Sequence, residues 1–523
     1  MNRIILIILF FLSTVFLIFN NLPKQIQISF ISGILQDKLL FYPVFTGMLY
    51  TIYCQYKYKN VLVNSNKFLK FIAVYLVVTS FSLIIGLYTY PHYDLVLNGP
   101  VTQIEKLPKL IATLNNYGIY INEKILIAFW MIARTIKSVL LEALYTFGGA
   151  YIIFCWYYND WKIAFKVLIT AILASSVVIF GYSCVELFYL SGNETAKEIL
   201  ITINPYIHII KSDGTWWPPL LWPGQLRSIF AEPSYYGIYF SFAMPILWYV
   251  FITAQEKCYK IISFSAIIFS TFCLFLTQAR TAVGLFVGEV FILFIFTAYL
   301  RNKFIFKQVG KIFLAIVAAF MLSGLFINNL LIENRYNIDS VEGYIESNLT
   351  SLASASQRSN GARYSIMIAD LKIGLDYPLT GVGLGLRNAY IPDYLPEMAK
   401  DNGEVQMWIK NQREKGVLRS GFPKLGEYTS RFAETGIIGL TLFLVPQFIL
   451  LRKLYLKITD KSIIIDDKLP YIFFTISLIG IMASGLGDSI NITYCYWVLL
   501  GLGYAMCFTK TINEESETKI NNE

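Results

Sequence analysis

Long apolar runs alternate with short polar breaks along almost the whole chain, and the alternation is interrupted once, between Glu333 and Ser430. A helix needs about 20 predominantly apolar residues to cross the hydrocarbon core of a bilayer. Runs of that kind occupy Ile4 to Asn20, Leu39 to Tyr56, Phe71 to Tyr90, Val139 to Tyr158, Ala164 to Leu190 and Tyr235 to Ala254. They continue at Ile261 to Leu276, Val283 to Leu300, Ile312 to Ile332, Gly436 to Leu451, Pro470 to Leu486 and Ile492 to Phe508. The pattern predicts an all-α fold: a polytopic membrane helical bundle of about 12 transmembrane helices, with a large extracytoplasmic loop containing short helices. Ile125 to Ile136 reads as an interfacial helix.

The expected organisation follows. Residues 1–332 hold the first nine spans, with loops at 91–124 and 191–234; residues 333–430 form the large loop; residues 431–509 hold the last three spans. Residues 510–523 form a polar tail, expected to be disordered. The first span starts almost at Met1 without a small-residue cleavage site, as a retained signal-anchor would.

Lysine and arginine set the orientation. With the N-terminus inside, three basic loops become cytoplasmic: Lys57 to Lys70, Arg301 to Lys311 and Arg452 to Lys468. Both termini are then cytoplasmic, and the large loop faces outward.

Composition excludes other classes. Hydrophobic residues make up 56% and charged residues 15%, with a mean hydropathy of +0.55, whereas a soluble domain carries about 25% charged residues. The net charge of +9 belongs largely to loops beside spans, so no nucleic-acid partner is expected. None of the seven cysteines falls in a large outer loop, and the two histidines, His92 and His208, are far apart in sequence. Neither a disulfide framework nor a metal site is predicted, and no cofactor is expected.

The candidate chemistry is arginine on the outer side. Arg227 opens RSIFAEPSYYG, running into the sixth span. Its planar fork suits phosphate oxygens at headgroup depth, and Glu232 could accept a proton from a sugar hydroxyl; the alternative is an interfacial arginine paired with phospholipid or with Glu232. Arg280, in LTQARTAVG, is a charge between two apolar runs, which marks either a functional pathway or a structural pair with Glu289. Arg363 heads GARYSIMIADLKIG, a predicted short helix over Arg363 to Lys372 with Gly374 as its stop, and could equally be a solvated helix arginine. The glycines of DYPLTGVGLGLRN do not open a helix after a strand, so no nucleotide site is expected. At the return to the membrane, Glu427 and Arg431 have the spacing of a pair on one helix face, with Glu434 beyond them. Trp217, with Trp216 and Trp222, is either a sugar-stacking surface or part of an interfacial belt.

The order of these segments resembles the O-antigen ligase and polymerase superfamily: RSIFAEPS before a span, TQARTAVG between spans, GARYSIMIADLKIG and PLTGVGLG in a large loop, and FAETGIIGL entering the next span. The resemblance covers roughly Gln225 to Leu451. Arg363 and Gly374 match the arginine, ten residues, glycine pattern of polymerase loops, whereas Arg227 is followed by Gly237 after nine. The resemblance implies glycosyl transfer between undecaprenyl diphosphate-linked glycans, with membrane lipid around the protein and a chain-length regulator and a flippase as pathway partners. Arg227, Arg280 and Arg363 would then neutralise the donor diphosphate, with Glu232 as the preferred base, Glu427 and Glu434 as alternative bases, and Glu427, Arg431, Glu434 and Trp217 contacting substrate. Ligases of the superfamily carry a histidine late in the large loop; Glu333 to Leu451 has none, which favours the polymerase. A ligase that transfers the glycan to lipid A-core and a flippase or transporter of the same lipid-linked glycans are the remaining alternatives.

Overall fold

The computed structural model describes residues 1–28, 38–59, 66–100, 103–104, 107–210, 218–331 and 358–508. Among these residues the chain is helical throughout, without a strand. The first helices are α1 (Arg3–Val15), α2 (Phe41–Tyr58), α3 (Asn66–Tyr88), α4 (Tyr93–Leu97), α5 (Leu107–Asn116), α6 (Glu123–Ala143) and α7 (Gly149–Tyr157). They are followed by α8 (Trp161–Leu190), α9 (Glu194–Ile207), α10 (Pro233–Thr253), α11 (Lys257–Leu276), α12 (Arg280–Leu300) and α13 (Lys303–Asn329). The remainder are α14 (Arg358–Asp376), α15 (Arg387–Tyr394), α16 (Gly403–Lys415), α17 (Glu427–Thr459), α18 (Ile465–Ser484) and α19 (Cys495–Phe508).

Each predicted span is helical. Seven helices, α3, α8, α10, α11, α12, α13 and α17, are long and apolar enough to cross a membrane. Others are shorter or interrupted: α1 ends at Val15 and continues as a 3-10 turn to Ile18, and α19 has 14 residues; α18 has 20 residues but opens with Asp466, Asp467 and Lys468. The expected interfacial helix and the fourth span form one continuous run, α6 joined to α7 by π-helical turns over Leu144–Gly148.

Apolar residues lie all round α10, and burial follows that composition. It is the axial helix, 89% of its apolar window lying inside the protein, packed by α8, α11, α12, α13 and α18. A helix apolar on every side is stable only when surrounded. Its N-terminus at Pro233 therefore comes up in the middle of the bundle.

A second, smaller core forms a lobe at one face. Leu83 and Leu87 at the end of α3, Val96, Leu126 and Ile127 pack there against Ile366, Ile373, Tyr390 and Phe422. Segments expected in two separate loops on the same side thus share one core. An ion pair completes it: Arg387 donates to Asp370 through Nε and Nη2 and to the carbonyls of Phe422 and Pro423.

The glycine run locks this lobe to the membrane helix. Val382 N–H donates to the Ala433 carbonyl at 2.9 Å and Gly383 N–H to the Glu434 carbonyl at 3.0 Å. Facing it, Gly436 adopts φ 63°, ψ −169°, a conformation essentially confined to glycine, and kinks α17 there. A Cβ on Gly436 would lie 2.3 Å from Leu379 backbone. Gly374 departs from expectation, since α14 runs past it to Asp376. Its lack of a side chain serves packing instead: a Cβ there would lie 2.3 Å from the Phe432 ring.

Candidate functional site

Two polar loops bring the bundle and the lobe together. The first, 224–231, runs beside the turn 276–279 between α11 and α12: Leu226 N–H donates to the Leu276 carbonyl at 3.1 Å. Gln225 Nε2 donates to the Thr277 carbonyl at 3.0 Å, and Gln278 Nε2 returns a bond to the Gly224 carbonyl at 3.2 Å. Ser228 and Gln278, neither of them glycine, hold φ of 54° and 47°, strained conformations that persist only where the surroundings over-determine them. Glu186 of α8 supplies that constraint at Ser228, accepting from Arg227 N–H at 3.2 Å and from Ser228 N–H at 2.6 Å.

The consequence is that the N-termini of α10 and α12 emerge side by side. A Cβ on Gly237 of α10 would lie 2.1 Å from that of Ala282 on α12. Each helix contributes partial positive charge from its first turn, and Glu232 and Arg280 stand at these two ends.

The second loop, 485–491, follows α18. Glu427 N–H donates to the Gly485 carbonyl at 2.8 Å, while the Glu427 carboxylate accepts from Ser489 Oγ at 2.8 Å and from Ile490 N–H at 3.2 Å. From the lobe, Arg363 Nη1 donates to the Gly487 carbonyl and, at 3.1 Å, to Asp488 Oδ2.

The sequence candidates separate accordingly. Arg363 lies on the wall of a cleft of about 340 Å³ between α12, α14 and α18, with Thr281, Gly284, Gly288, Asn360 and Gly480 among its lining. Its side chain keeps 25% exposure, and among the described residues its Nε and Nη2 have no hydrogen-bond partner. Asp488 and then Glu232 add their negative charges to hold it protonated against burial. Glu232, half-buried at the start of α10, accepts from Ser234 Oγ and lies within electrostatic reach of both Arg363 and Asp488. Arg280 is half-buried next to Thr281, which lines the same cleft.

Arg227 is placed otherwise. It is 1% exposed, and its terminal nitrogens donate at 2.9 Å to the carbonyls of Pro219 and Leu220, so its fork is occupied by protein. Glu427 and Arg431 do pair, both buried, with Arg431 Nη1 also donating to Tyr75 Oη at 2.6 Å and its guanidinium 4.0 Å from the Phe443 ring centre. Glu434 accepts from Lys424 Nζ at 2.8 Å. These three side chains tie α17 to its neighbours. The alternative pairing of Arg280 with Glu289 does not form: nine residues along one helix place them about 13.5 Å apart, and Glu289 is fully buried against Gly480. Trp217 lies outside the described residues. His92 packs on Tyr390 in the lobe core, not on the cleft.

Asp488 is the participant that sequence reasoning missed. It is 4% exposed; burial pushes its carboxyl up to about 6, with Arg363 pulling down and Glu232 pushing up. An aspartate in a Gly-Leu-Gly-Asp-Ser turn carries no periodic signal, and its partner is far away in the chain.

Arg363 thus lines a cleft between membrane helices together with Thr281 of the first turn of α12, and the carboxylates of Asp488 and Glu232 lie within electrostatic reach of its guanidinium. A family model described as O-antigen ligase matches residues 264–412, which include Arg280 and Arg363. The match places this segment in the O-antigen ligase/polymerase superfamily. No curated protein matches the chain. Members of the superfamily are membrane-embedded, glycosyltransferase-like enzymes acting on lipid-linked glycans.

Proposed function

We propose that the protein polymerises undecaprenyl diphosphate-linked oligosaccharide repeat units into O-antigen or a related surface polysaccharide, at the outer face of the cell inner membrane. The observation that carries this reading is Arg363, whose guanidinium is half given to the 487–488 turn and half open at the cleft, beside Glu232. A diphosphate at that point accepts bidentate bonds from the open half, with Arg280 and the first turns of α10 and α12 adding positive charge.

In the reaction, the donor's anomeric carbon–oxygen bond to the diphosphate breaks, and the diphosphate leaves with the electron pair. The acceptor hydroxyl forms the new glycosidic bond and gives its proton to Glu232. Fixed arginine charge meets the departing diphosphate, the task a metal ion performs in many soluble glycosyltransferases. The cleft beside Arg363, mostly apolar but with Glu289 in its lining, leads between α12 and α18 and suits the lipid end of the donor. A chain-length regulator and a flippase of the same pathway act beside it, and both termini are cytoplasmic.

A second reading, transfer of the glycan to lipid A-core, is favoured by the description of the matched family. Against it stands the absence of histidine from Glu333 to Leu451. Deletion of the gene separates the two. Loss of a polymerase leaves acceptors capped with a single repeat unit; loss of a ligase leaves none capped.

A further inference from the structure

Asp488 sits where three segments of the site meet, and it is held from both sides. Arg363 binds the carbonyl before it and its own Oδ2. Glu427 binds the two residues after it, Ser489 and Ile490. The groups that face it are Arg363 from α14, Glu232 and Tyr235 from the start of α10, and the Glu427–Arg431 pair across the turn from α17. From α12, Thr281 approaches Gly487, with Arg280 immediately before it in the chain. The nearest charged partner of Asp488 is thus the same guanidinium that faces the cleft.

This sharing has a consequence for an incoming anion. A diphosphate that takes the open half of Arg363 competes with Asp488 for one positive charge, next to a second carboxylate, Glu232. Like charges at such separations in a buried site do not all remain ionised. The carboxylate with the least solvent gives way most readily, and its carboxyl already stands near 6.

We propose that Asp488 is a positioning residue that holds Arg363 for the donor and takes up a proton from solvent when a diphosphate draws the guanidinium away. The inference rests on the reading that Arg363 binds the donor's diphosphate. Its sign is fixed by linkage. Below about pH 6 Asp488 carries its proton already and binding requires none. Above it, up to the raised value that Asp488 has in the complex, binding takes up a proton, and affinity falls by up to about tenfold per pH unit.

The probe is undecaprenyl diphosphate without sugars, added to the purified full-length protein in detergent. Calorimetry at pH 8 in two buffers of different ionisation enthalpy counts protons, because the lipid's own diphosphate is by then ionised, the last phosphate proton leaving near 6. The wild type takes up close to one proton, Asp488→Glu retains the uptake, and Asp488→Asn loses it. From pH 6 to pH 8 the wild type loses about ten- to hundredfold more affinity than Asp488→Asn. Wild-type binding without proton uptake, or parallel pH profiles for wild type and a folded Asp488→Asn, overturns the inference and leaves the proposed function standing. Failure of the wild type to bind the lipid at any pH overturns both.

Discussion

Arg363 and Asp488 lie 125 positions apart in the chain and meet through Nη1 and Oδ2 at 3.1 Å, joining the lobe to the turn between α18 and α19. The same guanidinium opens on the cleft, so one residue ties two parts of the protein together and presents charge to a ligand. Glu232 completes the arrangement from a third segment.

Replacing Arg363 tests its double duty. Arg363→Ala removes a charged phosphate contact, worth about 1.5–3 kcal/mol, or roughly ten- to hundredfold in donor affinity or rate. Arg363→Lys restores only part of the loss, because an ammonium lacks the fork. Titration of the variants with undecaprenyl diphosphate checks both, and full recovery by lysine contradicts the bidentate contact.

Arg227 should behave differently. Arg227→Ala strips the donor from the Pro219 carbonyl and one of two donors from the Leu220 carbonyl, which keeps Asn204 Nδ2 at 2.6 Å, at about 1–3 kcal/mol for a buried group left unsatisfied. Thermal unfolding in detergent is expected to drop clearly for Arg227→Ala. An Arg227→Ala protein with unchanged unfolding temperature and no polymer would return Arg227 to the reaction centre.

The carboxylates divide along the same line. Glu232→Gln keeps size and hydrogen bonding but removes the proton acceptor, which costs about 10² to 10⁴-fold in rate, with single-unit glycan the product in vivo. Glu427→Gln removes the charge that faces buried Arg431; breaking a buried pair costs about 3–5 kcal/mol, so it reads out as lost protein. Normal glycan ladders from Glu232→Gln, with folded but inactive Glu427→Gln, would move the base to α17.

Much of this was legible in the chain. The apolar runs marked the seven helices that are long and apolar enough to cross a membrane among the described residues, and the predicted start of the tenth span at Gly436 is the kink of α17. Arg363, Arg280 and Glu232 stood out because charge beside apolar sequence is conspicuous. What stayed hidden depends on contacts between distant segments. Gly374 reads as a helix stop but is a contact with Phe432; Arg227 has the residue type of an anion site, yet carbonyls 7 and 8 residues away occupy it. Asp488 gains its meaning only from the residue that folds onto it.

The proposed sidedness rests on the basic loops. Single cysteines at Lys303 are expected to resist an impermeant thiol reagent in intact spheroplasts, while cysteines at Asn360 and Lys410 react. The opposite pattern would put the lobe in the cytoplasm and remove the outer-face chemistry.

The most direct test uses the purified protein in liposomes, with lipid-linked repeat units extracted from a strain lacking its gene as the only glycan substrate. Polymerisation predicts a ladder of lengthening glycan still attached to undecaprenyl diphosphate, formed without lipid A-core and absent with Arg363→Ala. Single units that stay unchanged until lipid A-core is supplied, and are then transferred to it, would contradict the account.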